Sequence, residues 1–354
     1  MTRVLVLKTA ALGDVLRTTS ILPGLAERDP DLELTWVTAP AARPLLEHHP
    51  LVDRLETIDV SDPGAMRALQ ARLAATRWQR VLSLDDEEPL CRLASALDAE
   101  RLSGAYLDAA GRRRYTADLA PWFDMGLLSV HGKERADALK IANRRSHPEI
   151  FARALGVRAG RPELVLDDAP RAFGEAFAGR HELAAGRPVV GLNTGAGGRW
   201  PSKELSVERT AALARQLAVA LGGRATFLVL GGELETERNT RLVAELAARE
   251  PAPRVVDAGT GNSLLEFAAL VSLCDLLVVS DSLALHVALA LGVPVVAFFA
   301  PTSAAEVHLF GLGEKVVSTA PDACSYRPDA DNSTITPERL AAACLRVLGR
   351  RESR

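Results

Sequence analysis

Runs of apolar, β-branched residues alternate with helically spaced apolar positions from one end of the chain to the other. The pattern predicts strands at 4–7, 33–38, 80–84, 188–192, 226–230, 254–257, 276–279 and 294–299. Helical spacing falls between them, at 15–28, 65–77, 207–221, 237–249 and 264–273. Several strands are apolar on both faces, as a parallel sheet covered by helices on either side requires. The alternation pauses between 167 and 187 and restarts at Pro188. The expected fold is therefore α/β, with two doubly wound Rossmann-like domains facing across a cleft. Residues 1–168 form the first and 188–335 the second, with 169–187 as linker. A last helix, within 336–354, is open to packing back on the N-terminal domain. The stretch 106–146 is less regular and rich in Arg.

The most informative segment is V-V-S-D-S-L-A-L-H-V-A-L-A-L-G-V-P-V-V-A-F-F-A-P-T, residues 278–302. It reads as strand, polar turn (Ser280, Asp281, Ser282), helix from Leu283 to a stop at Gly292, then strand. Any of the three polar residues suits the helix cap. A helix start at the carboxyl end of a parallel strand offers unsatisfied N–H groups and partial positive charge, a natural seat for phosphate. His286 lies in the first turn, where it is either an ordinary buried helix histidine or a donor to a phosphate oxygen. Asp281 would be repelled by a diphosphate, so capping or accepting bonds from sugar hydroxyls suits it better.

Three other turns carry chemistry. The first strand ends in Lys8 and T-A-A-L-G-D, whose one glycine, Gly13, does not make the G-x-G-x-x-G of a dinucleotide site. Asp14 at its end is either the cap of a helix beginning near Val15 or a general base for an attacking hydroxyl. The turn at 191–203, G-L-N-T-G-A-G-G-R-W-P-S-K, holds Gly195, Gly197 and Gly198, which let backbone N–H groups approach a ligand, and Lys203, a cation. It does not fit a Walker A loop. Arg199 in this turn is a weaker candidate. At 228–238, Glu233, Glu235 and Glu237 crowd a helix start, which the helix dipole favours whatever the function; Glu235 is the choice for binding sugar or ribose hydroxyls. The triplets Asp29-Pro30-Asp31 and Asp329-Ala330-Asp331 read as solvated turns, and no metal site is expected. Arg112, Arg113 and Arg114 read either as a wet loop or as a contact for an acceptor phosphate.

Composition narrows the classes. The chain has 354 residues, 25% of them charged, with a formal net charge of −3, which argues against a general nucleic-acid binder. Four dispersed cysteines make neither a zinc knuckle nor a disulfide framework, which points to a reducing cytoplasm. The N-terminal residues lack a signal-peptide pattern, and no apolar run reaches the ~20 residues that span a bilayer. A soluble protein is expected.

Four blocks, in order, resemble the heptosyltransferase-type glycosyltransferases of family 9, which have the GT-B fold. They are L-G-D-V-L-R-T-T-S-I-L-P-G-L, N-T-G-A-G-G-R-W-P-S-K, L-V-L-G-G-E-L-E-T-E and S-D-S-L-A-L-H-V-A-L-A-L-G-V-P-V-V-A-F-F-A-P-T. The resemblance implies an inverting, metal-independent transfer of heptose or a related sugar from an ADP-sugar to an acceptor hydroxyl. The first domain would hold the acceptor, with Asp14 as general base. In the second, Lys203 would neutralise the donor's diphosphate beside Ser282, Leu283 and His286. Nucleotide contacts would begin at Thr194 and Gly195, and Glu235 and Asp281 would hold donor hydroxyls. Closure of the domains would exclude water. No cofactor is implied; the partners are a nucleotide-sugar donor and a glycan, glycolipid or small-molecule acceptor. Contact with the inner face of a membrane stays open. Two departures stand out: Asp281-Ser282-Leu283 replaces the usual D-T-G, and Thr194 replaces the proline of N-P-G-A. The alternatives are a sugar-nucleotide epimerase of the same fold and a non-catalytic sugar or nucleotide binder. Products separate them.

Overall fold

The computed structural model describes residues 1–198, 200–248 and 252–352. The chain divides into two compact units, Met1–Val165 with Ala305–His308, and Leu166–Ala304 with Leu309–Arg354.

The first unit contains strands β1 (Thr2–Leu7), β2 (Leu32–Thr38), β3 (Arg54–Thr57), β4 (Arg80–Ser83), β5 (Leu102–Leu107) and β6 (Arg113–Tyr115). They form one sheet in the order β3-β2-β1-β4-β5-β6, parallel except for the β5–β6 hairpin. Its helices are α1 (Leu12–Thr18), α2 (Leu22–Arg28), α3 (Pro63–Ala74), α4 (Glu88–Ser95), α5 (Ala120–Phe123), α6 (Lys133–Ala142) and α7 (His147–Leu155). Central strands are apolar on both faces because helices cover both: Leu5, Leu7, Val37 and Val81 join Leu69, Leu73 and Leu93 in one buried cluster. The helix expected at 15–28 is two helices. It starts earlier, at Leu12, and breaks at a 3-10 turn, Thr19–Ile21, before Pro23 opens α2.

The second unit repeats the plan. Strands β7 (Val189–Asn193), β8 (Thr226–Val229), β9 (Arg254–Asp257), β10 (Leu276–Ser280), β11 (Val295–Phe299) and β12 (Gly313–Val317) lie all parallel in the order β12-β11-β10-β7-β8-β9. Helices α8 (Asp168–Arg180), α9 (Val207–Ala220), α10 (Thr236–Ala247), α11 (Leu264–Ser272), α12 (Leu283–Leu291) and α13 (Pro337–Glu352) accompany them. Part of the segment expected as a linker is therefore helix, α8, packed on α11. The final helix lies on α9 and β12, and its Leu340, Ala343 and Cys344 are buried with Leu213, Leu217 and Phe227 in this unit's core.

In both sheets the chain reverses its direction of winding between two central neighbours, β1 and β4 in the first and β7 and β10 in the second. At such a point the loops leaving the two strands diverge and open a crevice beyond their carboxyl ends, where ligands of open α/β sheets bind. Lys203 and Asp281 lie on two of these four loops, and Asp14 lies on the helix that follows a third.

Phe227 is fully buried at the centre of the second core. Phe227→Ala is expected to destabilise that unit by about 3–5 kcal/mol, measured by denaturant unfolding.

Candidate functional site

In the second unit, β7 ends at Asn193 and its loop runs into a 3-10 turn, Pro201–Lys203, while β10 ends at Ser280 beside it. Lys203 bridges the two loops. Its Nζ donates to the Asp281 carbonyl at 2.8 Å and to the Asp281 carboxylate at 3.1 Å, with the two side chains 14% and 19% exposed. The cation is therefore held, and it also lies 5.7 Å from the centre of the Trp200 ring. Burial pushes the Asp281 carboxyl up, but the neighbouring Lys203 and His286, together with bonds from Thr302 and Lys203, outweigh it and hold the group below its ordinary range. The aspartate that sequence suggested would repel a diphosphate is thus largely neutralised inside the protein. An ammonium has three N–H donors, two of which point at Asp281, which leaves a third for a ligand oxygen.

Helix α12 begins here at Leu283 and ends at Gly292, whose φ of 76° is the left-handed conformation that closes a helix. Ser282 takes the N-cap position without a side-chain capping bond; its hydroxyl turns back to Ser280 O at 3.4 Å. Ser280 does not cap either, since its hydroxyl donates to Gly195 O at 2.7 Å. The N-terminal amides of α12 therefore keep the partial charge that draws an anion. Leu283 is half-buried at this start, and His286 is buried.

Glu235 closes the other side of the glycine loop. Its carboxylate accepts from Gly197 N at 2.6 Å and Gly232 N at 2.8 Å, tying the β7 loop to the β8 loop. This close approach is why residue 195 is glycine: a Cβ there would sit 2.6 Å from Glu235 Cγ. Thr194 lies just past the end of β7, inside the fold. It is fully buried, its hydroxyl 3.0 Å from that of Thr210 and accepting from Arg238 Nη2 at 2.6 Å, so its side chain ties the loop to α9 and α10. Arg238, which the sequence did not single out, also donates to Leu205 O at 2.6 Å and so clamps both ends of the 194–205 loop. Its only sequence signal is its place three residues after Glu235. Arg199 lies outside the described residues.

In the first unit, Asp14 is the third residue of α1, whose N-cap is Ala11. It is not the helix cap, and its side chain is 40% exposed with Arg17 Nη2 at 2.9 Å from Oδ1. The turn before it is held by the neighbouring strand's loop: Asp85, after β4, bonds Lys8 and accepts from the Thr9 hydroxyl at 3.0 Å and Ala10 N at 3.3 Å. Farther along the sheet, Tyr115 donates to Asp86 at 2.9 Å; burial raises that carboxyl, partly offset by Tyr115 and Arg113. Arg113 and Arg114 lie in β6, the far strand of the β5–β6 hairpin, and Arg112 lies in the turn before it. Arg112 and Arg114 both bond Asp108 at 3.1 Å, and Arg113 donates to Leu128 O at 3.0 Å. Among the described residues, no group of three His, Cys, Asp or Glu side chains is arranged to hold a metal ion, and no helix is long and apolar enough to cross a membrane.

The model of the family described as glycosyltransferase family 9 (heptosyltransferase) matches residues 130–332. A lipopolysaccharide heptosyltransferase 1 of Pseudomonas aeruginosa is 26% identical over 351 residues, covering 93% of this chain and 89% of that protein. Among solved structures, a glycosyl transferase family 9 protein of Veillonella parvula superposes with a TM-score of 0.78 at 20% identity, over 99% of this chain and 98% of that one. The ADP-heptose lipopolysaccharide heptosyltransferase II of E. coli gives 0.66 at 20% identity, over 99% and 100%. A putative UDP-N-acetylglucosamine 2-epimerase of Listeria monocytogenes gives 0.53 at 13% identity, a likeness of fold alone.

The Lys203–Asp281 pair yields a prediction. Lys203→Met leaves the Asp281 carboxylate without its ammonium and is expected to destabilise the protein by about 3 kcal/mol at neutral pH. Without the lysine the Asp281 pKa rises above its value in the wild-type fold, so the loss should shrink as pH falls toward about 4 and the carboxylate is protonated. Adding Asp281→Asn should recover most of the stability at pH 7. Thermal melts of the three variants at both pH values check this.

Proposed function

Since the chain belongs to glycosyltransferase family 9, the heptosyltransferases, we propose that it moves a heptose or related sugar from an ADP-sugar to an acceptor hydroxyl, with inversion and without a metal ion. The observation that carries this reading is the junction of Lys203, Asp281 and the start of α12 at the second sheet's switch point. It suits a diphosphate. In the transfer, Asp14 takes the proton of the acceptor hydroxyl and that oxygen bonds to the anomeric carbon. The bond from that carbon to the β-phosphate oxygen breaks and ADP leaves. Direct displacement by one nucleophile inverts the anomeric centre. Negative charge grows on the leaving diphosphate, and donors already fixed in place stabilise it more than they stabilise the bound substrate. A lysine and a helix start fill here the role a divalent cation fills in other routes.

Glu235 and Asp281 are the proposed contacts for donor hydroxyls. Both carboxylates are already held on the protein, so a ligand would share them rather than replace their partners. We assign the reaction to the cytoplasm; a lipid-linked acceptor would bring the enzyme to the inner face of the membrane without any spanning segment.

Asp14→Asn is expected to lower transfer by about 10²–10⁴-fold, the range for loss of a general base, while calorimetric ADP affinity stays within a factor of about two. The assay is ADP release from ADP-heptose with lipopolysaccharide truncated before its heptoses. Normal turnover by this variant removes Asp14 from the mechanism. Release of an epimerised sugar nucleotide with its diphosphate intact would instead establish the epimerase.

A further inference from the structure

Asp14 and Arg17 stand three residues apart on α1, one in its first turn and one in its last. That order agrees with the helix dipole, and an exposed pair of this kind contributes only a few tenths of a kcal/mol. Arg17 is not such a surface residue. Its side chain is 13% exposed against 40% for its partner, and its guanidinium carbon lies 5.0 Å from the centre of the Trp122 ring. Trp122 comes from α5, more than a hundred residues along the chain, and is itself fixed from two sides. It meets His147 edge-on at 4.9 Å and Phe151 edge-on at 5.5 Å, and those two rings stack on each other at 4.1 Å. The pair is thus anchored to the irregular segment between β6 and α7, not only to its own helix.

We infer that Arg17 is a positioning residue for Asp14: held over the Trp122 ring, it aims the Asp14 carboxylate through their ion pair. This rests on Asp14 acting as the general base. The chemistry requires arginine in particular. A planar guanidinium gives its face to an indole while its edge keeps N–H donors for a carboxylate, whereas a lysine ammonium supplies charge without the plane or the fork. A side chain as short as aspartate on an exposed helix start otherwise samples several rotamers, and a base is effective only in those that meet the hydroxyl proton.

The test compares Arg17→Met, Arg17→Lys and Trp122→Leu with the wild-type protein, by ADP release from ADP-heptose. Truncated lipopolysaccharide serves as acceptor, and water as a second one. Arg17→Met should lower kcat by about 10–100-fold, the scale of a misplaced catalytic group, with donor KM and ADP affinity unchanged. Arg17→Lys should restore part of that loss, and Trp122→Leu should fall between wild type and Arg17→Met. A kcat within twofold of wild type for Arg17→Met overturns the inference. So does a loss that follows donor KM or melting temperature and that lysine does not relieve. The underlying reading fails separately, if Asp14→Asn turns over normally or if the wild-type protein releases no ADP with either acceptor.

Discussion

The second unit's switch point depends on one residue pair, Lys203 donating to both the carbonyl and the carboxylate of Asp281. The two residues sit on loops that leave neighbouring strands on opposite sides of the switch point, so the bond spans the crevice where the sheet's winding reverses. Each charge, buried alone, would be expensive; paired, each makes the other tolerable. The pairing also reconciles an aspartate with an anion site. A carboxylate beside a diphosphate is repulsive until its charge is met from within, and here it is met by the same ammonium that has a further donor to offer.

Around that bond the loops are held by side chains reaching back to backbone. Glu235 takes amides from two loops, Arg238 clamps the ends of the glycine turn, and the Ser280 hydroxyl meets the Gly195 carbonyl. Transition-state stabilisation by fixed dipoles needs this kind of preparation, because donors that must reorganise during the reaction lose much of their advantage. The first unit follows the same rule with different residues. Asp85 and Lys8 hold the turn at the end of β1, and Arg17 holds Asp14 on the helix that the turn begins.

What sequence made legible was whatever is buried on both sides. β1, β2, β4, β7, β8, β10 and β11 are apolar runs between helices, and each, like the partly exposed edge strand β9, lies within two residues of its expected bounds. The strands it did not disclose were β3, β5, β6 and β12. R-L-E-T and G-E-K-V-V are edge strands with charges, R-R-Y is a hairpin edge, and L-S-G-A-Y-L is broken by small residues; none has a two-sided apolar run. Asp14 was legible as a residue but not as a geometry. Aspartate is a good cap, which suggested a helix start at Val15, whereas α1 begins at Leu12 after Ala11. Lys203, Asp281 and Glu235 were legible for the same reason, unusual polar groups at strand ends, yet their partners were not. Arg17 and Arg238 escaped notice because an arginine on a helix is ordinary until its tertiary neighbours are known, and the burial of Thr194 did too, because a buried hydroxyl leaves no mark in a glycine-rich turn.

The central claim is that the second unit's switch point takes an ADP-sugar, and calorimetric titration of the wild-type protein with ADP, UDP, GDP and NAD, beside thermal melts with each, tests it most directly. At 100 times its dissociation constant a ligand stabilises the native state by about 2.7 kcal/mol, a visible rise in melting temperature. ADP is expected to bind and stabilise in preference to the other three. Preference for UDP or GDP would contradict the ADP-sugar assignment while leaving the fold intact, and binding of NAD alone would contradict the transferase site itself.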